Sequence, residues 1–325
     1  MKNNKILVFT TILVLVACCK NDKQQEKIYP NLNTRSITSI IVDKLNNKWI
    51  GTDTGLFKSA DNGYNLMSLP GFNNILSISY EKNSDQLWVG TSSGLLKASI
   101  GSGFSSSIIA LSNLSNDTIR SSFVDSSSRS WFGSAKGISF NKGDKWKKSK
   151  FYLNRLDSLV NTDIETKSIN SIASWDGDYY FATNKNKLYR AWGFNDTVDA
   201  FTGASQWRIP ENGDVISDTM FVVFVDSKGR QWMGGTQGLQ VHTGHYSKAN
   251  SIAFTDALPN KRVHAISEAP DGKIWVGTEN GITVYDGINW TNNTHSLPNP
   301  FITAIAFDQD GSAWAGTKKG LVNIK

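Results

Sequence analysis

The chain has 325 residues, 39% of them apolar, with eleven Trp and a formal net charge of +6. That is ample for a hydrophobic core and too apolar for a disordered chain, while the charge excess is too small for a nucleic-acid-binding protein. Both cysteines, Cys18 and Cys19, are neighbours near the N-terminus, which excludes a disulfide framework for the remainder.

Residues 1–5 form a short basic head, and Ile6 to Val16 is a largely apolar run of eleven residues. The run is too short to span a bilayer, which takes ~20 residues, but it suits the apolar region of a secretory signal. It closes on Leu15-Val16-Ala17-Cys18, which resembles the lipobox of bacterial lipoproteins. The resemblance implies a signal peptide over 1–17, acylation of Cys18 and attachment to a membrane of the bacterial envelope. The alternative is an ordinary signal with Cys18 there by chance. Loss of Lys2 and Lys5 with the signal lowers the net charge from +6 to +4. Residues 18–27 are polar and lack periodicity, so they read as a tether.

From Trp49 the octapeptide WIGTDTGL recurs as WVGTSSGL from Trp88, WFGSAKGI from Trp131, WMGGTQGL from Trp232, WVGTENGI from Trp275 and WAGTKKGL from Trp314. The long gap between Trp131 and Trp232 holds a degenerate copy, YFATNKNKL, in which Tyr180 stands for the Trp. Seven units over the 308 residues from Cys18 give 44 residues each, the period of propeller blades, ~40–50 residues. Each unit has an apolar strand such as Ile37 to Asp43, a polar turn, a strand on the Trp, a strand after the second Gly, and a fourth beyond another turn. The sequence therefore predicts an all-β fold, a seven-bladed β-propeller of four-stranded blades over residues 28–325.

Trp49, Trp88, Trp131, Tyr180, Trp232, Trp275 and Trp314 are predicted to pack between neighbouring blades, with the indole N–H seeking a partner. The first Gly of the motif, as at Gly51 and Gly90, signals a close approach by another chain segment. The second, as at Gly55 and Gly94, suits a turn with positive φ, and Asn186 takes that place in the degenerate copy. Ser39, Ser77, Ser121, Ser171, Val222, Ala265 and Ala304 form a column of small residues on the opening strands, where strands converge on an axis. The last unit stops after its third strand. Aligning it with the others places Gln25 opposite Trp290, so the N-terminal residues are expected to supply the missing strand and close the ring.

The pattern I-x-x-I, D-x-x-G-x-x-W-x-G-T-x-x-G-L resembles the two-component regulator propeller repeat of periplasmic sensor regions in hybrid histidine kinases, found especially in Bacteroidetes. The resemblance implies a propeller that senses ligands, often glycan fragments. No transmembrane, kinase or receiver segment follows, so signalling is not implied, and the chain is expected to stand alone as a lipoprotein.

Catalytic patterns are sparse. His242 and His245 lie three apart in a stretch read as a solvated turn, with no third ligand for zinc. Asp176 and Asp178 flank a Gly and fit a hairpin turn instead of a calcium loop. Trp207 to Pro210 resembles the arginine motif of sialidases, and Ser59 to Leu66 their Asp-box, but Arg208 falls in the fourth unit and sialidases have six blades. The excursion Ala191 to Trp207, with four aromatics, either caps a widened blade or offers a stacking platform.

Loops leading into the first strand and loops between the second and third strands should gather on one face. They bring Arg35, Asn74, Arg120, Asn170, Arg262 and His264 toward one mouth, with Asp53, Lys136, Lys185, Glu279 and Lys318 from the second set. Arg and Asn around a pocket suit polar or acidic ligands such as oligosaccharides; solvated rim residues are the plain alternative. The expected function is non-catalytic binding of a ligand or envelope protein partner, by a monomer without cofactor, metal or nucleic acid. The alternative is an envelope enzyme, a lyase or hydrolase, with its active site at the channel mouth.

Overall fold

In the first repeat, apolar Ile37–Val42 runs into the turn at Asp43, Lys48–Thr52 returns beside it, and Gly55–Ala60 and Gly63–Met67 complete an antiparallel sheet in sequence order. The computed structural model describes residues 29, 32–60, 63–67, 69, 71–101, 103–143, 145–148, 150–155, 158–161, 167–184, 188–195, 200–207, 219–243, 251–254, 256–293 and 297–324. Seven sheets are built in this way. Their inner strands, Ile37–Val42, Ile75–Glu81, Ile119–Val124, Ile169–Trp175, Met220–Val225, Val263–Glu268 and Ile302–Phe307, neighbour one another in that order, and the last packs on the first. The chain is a seven-bladed β-propeller, as the repeat period predicts. Among the described residues, no helix is long and apolar enough to cross a membrane.

The core lies between blades, because each twisted sheet has two faces to cover and only its neighbours to cover them. Trp49 of the first blade is buried with Ile75, Ile78 and Leu87 of the second. Trp232 of the fifth packs with Val263, Ile266 and Val276 of the sixth, and Trp314 of the last with Ile37 and Ile50 of the first. Tyr180 does the same toward Met220 and Met233. In three blades the indole N–H finds its partner six residues upstream. Trp49, Trp131 and Trp232 donate to Asp43, Asp125 and Asp226 at 2.9, 2.9 and 2.8 Å, and each Asp also caps the turn that precedes its Trp.

The motif glycines are held to their size by the next blade. A Cβ on Gly90 would stand 2.4 Å from Ser77 Oγ and 2.7 Å from Ile119 Cγ2, and one on Gly316 would stand 2.5 Å from Ile37 Cγ2. The column of small residues is paired with these glycines in register, Ser39 with Gly51, Ser77 with Gly90 and Ala304 with Gly316. The second Gly has positive φ in six blades, for example 103° at Gly281 and 84° at Gly137; Asn186 lies outside the described residues.

The ring is closed by contacts between the last and first blades. Thr303 Oγ1 donates to the Ile37 carbonyl at 2.6 Å, Lys48 pairs with Asp308 at 3.0 Å, and Gly320 N donates to the Arg35 carbonyl at 3.0 Å. Three strands of the seventh blade are described. The expected closing strand lies outside the described residues apart from Tyr29, whose ring is 5.6 Å from that of Trp314 and 5.0 Å from that of Tyr64.

The fourth blade departs from the plan. Leu188–Asn195 and Ala200–Trp207 form its outer hairpin, so the excursion widens the blade. Trp192 covers Gly203, and Phe194 packs on Trp131 and Phe140. A further hairpin, Lys150–Arg155 with Ser158–Asn161, adds to the outer strand in parallel and makes six strands. Its sequence carries no repeat motif, which is why the period did not reveal it. Cys18, the tether, Lys185, Arg208, His245 and His295 lie outside the described residues.

A candidate ligand-binding mouth

Chain polarity defines two faces. The front face carries the loops into each first strand and the turns between second and third strands, and a repeated backbone bond ties the two sets together. Asp53 N donates to Ser36 O at 3.1 Å, Ser92 N to Asn74 O at 3.2 Å, Ala135 N to Thr118 O at 3.0 Å and Glu279 N to Arg262 O at 3.2 Å. Both loop sets therefore share one face, as expected from the sequence.

Each first strand also contains a bulge. Its register against the second strand skips a single residue, in turn Thr38, Leu76, Arg120, Asn170, Phe221, His264 and Thr303. A bulge removes a residue from the ladder and re-aims its side chain. Here seven re-aimed residues stand at equivalent points around the front end of the channel. Three of the six expected ligand-binding residues, Arg120, Asn170 and His264, belong to this set. Arg35, Asn74 and Arg262 sit one or two residues ahead of the strands that follow them.

Their environments differ. Arg120 and Asn74 are exposed. Asn170 Nδ2 donates to the Met220 carbonyl at 2.7 Å, a tie to the fifth blade. The Arg35 guanidinium binds the Thr54 hydroxyl and lies 5.1 Å from the Phe57 ring. Arg262 Nε reaches Glu279 Oε1 at 2.7 Å, and His264 Nε2 reaches the same oxygen at 3.1 Å. The His264 imidazole is stacked between Phe221, at 4.4 Å, and Phe301, at 4.6 Å, and Lys318 Nζ lies 3.7 Å from the Phe301 centroid. Burial lowers the His264 pKa, and the hydrogen bond with Glu279 opposes this without overcoming it. Burial raises Glu279, but hydrogen bonds from Arg262 and His264 outweigh it and hold the carboxylate ionised. Sequence reasoning missed Phe221 and Phe301. Phe221 was detectable, since it occupies the column of Arg120 and His264.

Among the described residues, exposed Arg120, Lys136, Lys261, Arg262, Lys318 and Lys319 crowd this face, against exposed Asp53, Asp117 and Asp256 and half-buried Glu279. The described part of the front mouth thus carries more cations than carboxylates beside an aromatic sector, which suits an anion.

The rear mouth holds a cavity of about 580 Å3, lined by Asp43, Lys44, Tyr80, Ser227, Glu268 and Gln309 among others. Its polar groups link blades. Tyr80 and Lys44 both bind Asp85, Ser227 binds Glu268 through N and Oγ at 2.7 and 2.6 Å, and Gln309 Nε2 donates to the Lys44 carbonyl at 3.0 Å. None of the expected ligand-binding residues lines it.

The structure corrects the reading of His242, which lies in the strand Gly238–His242 and is buried, 3% exposed, instead of solvated in a turn. Among the described residues no group of three His, Cys, Asp or Glu could hold a metal ion. Asp176 and Gly177 form a hairpin turn, with φ of 50° and 81°, and Asp178 binds Arg190 Nε at 2.9 Å. Gly55–Ala60 and Gly63–Met67, which contain most of the Asp-box-like stretch, form an ordinary hairpin.

Residues 257–280 and 296–319 match the two component regulator propeller. No curated protein matches the chain. Among solved structures, the extracellular domain of a hybrid two component system from B. thetaiotaomicron is similar at 20% identity and a TM-score of 0.67 over 92% of this chain. The chain spans 39% of that domain. Virginiamycin B lyase from Staphylococcus aureus is similar at 14% identity and a TM-score of 0.69, over 92% of this chain and 97% of the lyase. YCF48 bound to D1 peptide is similar at 12% identity and a TM-score of 0.65, over 92% and 95%.

Proposed function

We propose that this chain, of which residues 257–280 and 296–319 match the two component regulator propeller, is a non-catalytic binding protein of the bacterial envelope, held by lipid on Cys18, whose front mouth takes an acidic ligand such as an acidic oligosaccharide. The observation that supports this reading is the ring of bulge residues set among exposed cations, with Arg120 exposed to meet a ligand. A charge-assisted hydrogen bond to such a ligand contributes about 1.5–3 kcal/mol. The paired change Arg120→Ala and Arg262→Ala should therefore abolish binding to an acidic oligosaccharide selected on a glycan array. Arg262 and Glu279 form a half-exposed pair, worth at most about 1 kcal/mol, so the melting temperature should hardly move. Binding that ignores both changes would refute the assignment.

His264 and Glu279 support a second reading. A neutral imidazole bonded to a carboxylate at a channel mouth can act as a general base, so a lyase at the same mouth would convert the selected ligand. Product formation that disappears in His264→Gln would favour the enzyme. For the anchor, Cys18→Ser should move the protein from the membrane fraction to the soluble one or leave it unprocessed; unchanged membrane association would remove the lipid from the proposal.

A further inference from the structure

The chain's charge is unevenly spread. From Ser126 to Arg155 the sequence carries eight cations and a single carboxylate, Asp144, and from Gln86 to Asn116 it carries no carboxylate at all. The formal net charge of the whole chain is only +6, so the first of these stretches alone accounts for it. Its densest part is the outer strand of the third blade, Lys145–Lys148. There Lys145, Lys147 and Lys148 are exposed, and exposed Lys142 stands opposite Lys145 in register.

Lysine on an outer strand guards a sheet edge against pairing, but that role does not call for like charges directly across a ladder, which are destabilising, or for exposed apolar neighbours. Lys142 and Lys147 have contacts of their own, whereas the Lys145 and Lys148 ammonium groups have no partner among the described residues. Trp146 pins the strand to the second blade. Its ring is 5.7 Å from that of Trp88 and 5.5 Å from that of Phe132, in a cluster with Ile109 and Leu114. Side chains alternate along a strand, so Lys148 shares the Trp146 side, toward the second blade.

The outer surface next to it is aliphatic. Ile108, at the end of the second blade's outer strand Ser105–Ile108, is 54% exposed. Leu111, in the turn Leu111–Asn113 that packs on Lys145–Lys148, is 56% exposed. On the first blade's outer strand, Gly63–Met67, Leu66 is 60% exposed. Tyr64 of that strand packs edge-on against Tyr29, with ring centroids 5.0 Å apart, so Tyr29, eleven residues from Cys18, is fixed beside the same edge. Eleven residues of chain reach at most ~40 Å.

We propose that the outer edges of the first three blades form a lipid-facing flank, which lies on an anionic bilayer with Ile108 and Leu111 among the headgroups and Lys145 and Lys148 over the lipid phosphates. Aliphatic side chains beside lysines suit a bilayer interface, where buried apolar area and attraction to anionic lipid add. A soluble polyanion is better met by arginine forks and exposed rings, and the exposed residues described on this edge include neither. The flank rests on the reading above only in that a lipid on Cys18 would keep it beside a membrane.

The test acetylates the full chain on vesicles of phosphatidylcholine, and on vesicles of phosphatidylcholine with phosphatidylglycerol, and reads each lysine by mass spectrometry. Lys145 and Lys148 should label several-fold more slowly on the anionic vesicles, while Lys318 and Lys319 of the front mouth should not change. In about 1 M salt, where the screening length is ~3 Å, the protection should vanish. Ile108→Ser with Leu111→Ser should reduce it several-fold. Lys145→Gln with Lys148→Gln, read at Lys142 and Lys147, should weaken the contact roughly twenty-fivefold, since each lysine near such a surface contributes about fivefold. Attachment through Cys18 acts alike on both vesicles and on every variant, so its failure is read separately, as loss of the chain from neutral vesicles. Equal labelling of Lys145 and Lys148 on the two vesicles, equal protection of Lys318 and Lys319, protection that survives the salt, or wild-type protection in either double variant would overturn the proposal. So would polyphosphate that protects Lys145 and Lys148 without vesicles as strongly as the anionic vesicles do, which would assign the edge to a soluble polyanion.

Discussion

Replacing Asp125 by alanine removes a carboxylate that is 7% exposed and serves three side chains at once. Its Oδ2 accepts from Trp131 Nε1 at 2.9 Å, from Tyr179 OH of the next blade at 2.6 Å and from Arg129 Nε at 2.8 Å, while Oδ1 accepts the Ser127 and Arg129 backbone N–H groups. The Arg129 side chain is 11% exposed, so the substitution removes a bonded carboxylate from a mostly buried guanidinium. Breaking a buried pair from one side costs about 3–5 kcal/mol. Tyr179→Phe removes a neutral donor to the same oxygen and the acceptor of a 2.9 Å bond from Arg129 Nη2, and should cost about 1–2 kcal/mol. The double variant should cost less than the sum, because the hydroxyl has already lost its acceptor. Urea unfolding of the three variants measures this directly. Burial raises the Asp125 carboxyl, but bonds from Tyr179, Trp131 and Arg129 outweigh it and leave it below its ordinary value of 3.8. A group depressed on folding stabilises above its unfolded pKa and loses that contribution as pH falls through the folded value. The difference between wild type and Asp125→Ala should therefore shrink below pH 3.8. An Asp125→Ala cost under ~1 kcal/mol, or one no larger than that of Tyr179→Phe, would refute the reasoning.

Gly90→Ala should destabilise by about 1–3 kcal/mol, because its Cβ would meet the Ile119 carbonyl oxygen at 2.9 Å as well as two side chains; an unchanged urea midpoint would contradict it. His264 is held below its ordinary pKa of 6.5, chiefly by burial, so folding binds fewer protons and the stability present above pH 6.5 is lost as pH falls toward and through the folded value. His264→Phe keeps the stack and should flatten the dependence of the melting temperature on pH below 6.5, a result that equal slopes would exclude. Deletion through Lys23 should leave stability unchanged, whereas deletion through Asn31 removes Tyr29, buried beside Trp314 and Tyr64, and should cost several kcal/mol. Equal melting temperatures for the two truncations would argue against closure by the N-terminal residues.

The fold was legible because its determinants are local and repeated. Gly51, Gly90 and Gly316 are small for the same reason, the approach of the first inner-strand residue of the next blade, and the same contact written many times becomes a visible period. The hairpin Lys150–Arg155 with Ser158–Asn161 was invisible because it is written once and pairs with a distant strand, Lys150 beside Ala200. His242 was misread because a buried strand position and a polar turn look alike when His, Thr and Gly follow one another. At the candidate mouth, sequence spacing correctly gathered two loop sets on one face. It could not show that Asn170 spends its amide on Met220 or that Arg35 is bound to Thr54, because those partners come from three-dimensional proximity. The bulges escaped notice for a related reason, since a skipped residue leaves the apolar alternation on either side nearly intact.

The seven skipped positions also separate two kinds of inheritance. Immediately before each stands a buried Ile, Val or Met, and immediately after each a Ser, Ala or Val set against the facing strand, so those neighbours are fixed by packing. The skipped residue answers to no ladder partner, and its occupants here, Thr, Leu, Arg, Asn, Phe, His and Thr, share neither size, charge nor polarity. Such a ring divides into tips and ties: Asn170 and Thr303 bond to the Met220 and Ile37 carbonyls of the neighbouring blades and His264 stacks on Phe221 and Phe301, whereas Arg120 stands exposed. Specificity can be rewritten at Arg120 without re-solving the fold, while changes at Asn170 or Thr303 also touch the joints between blades.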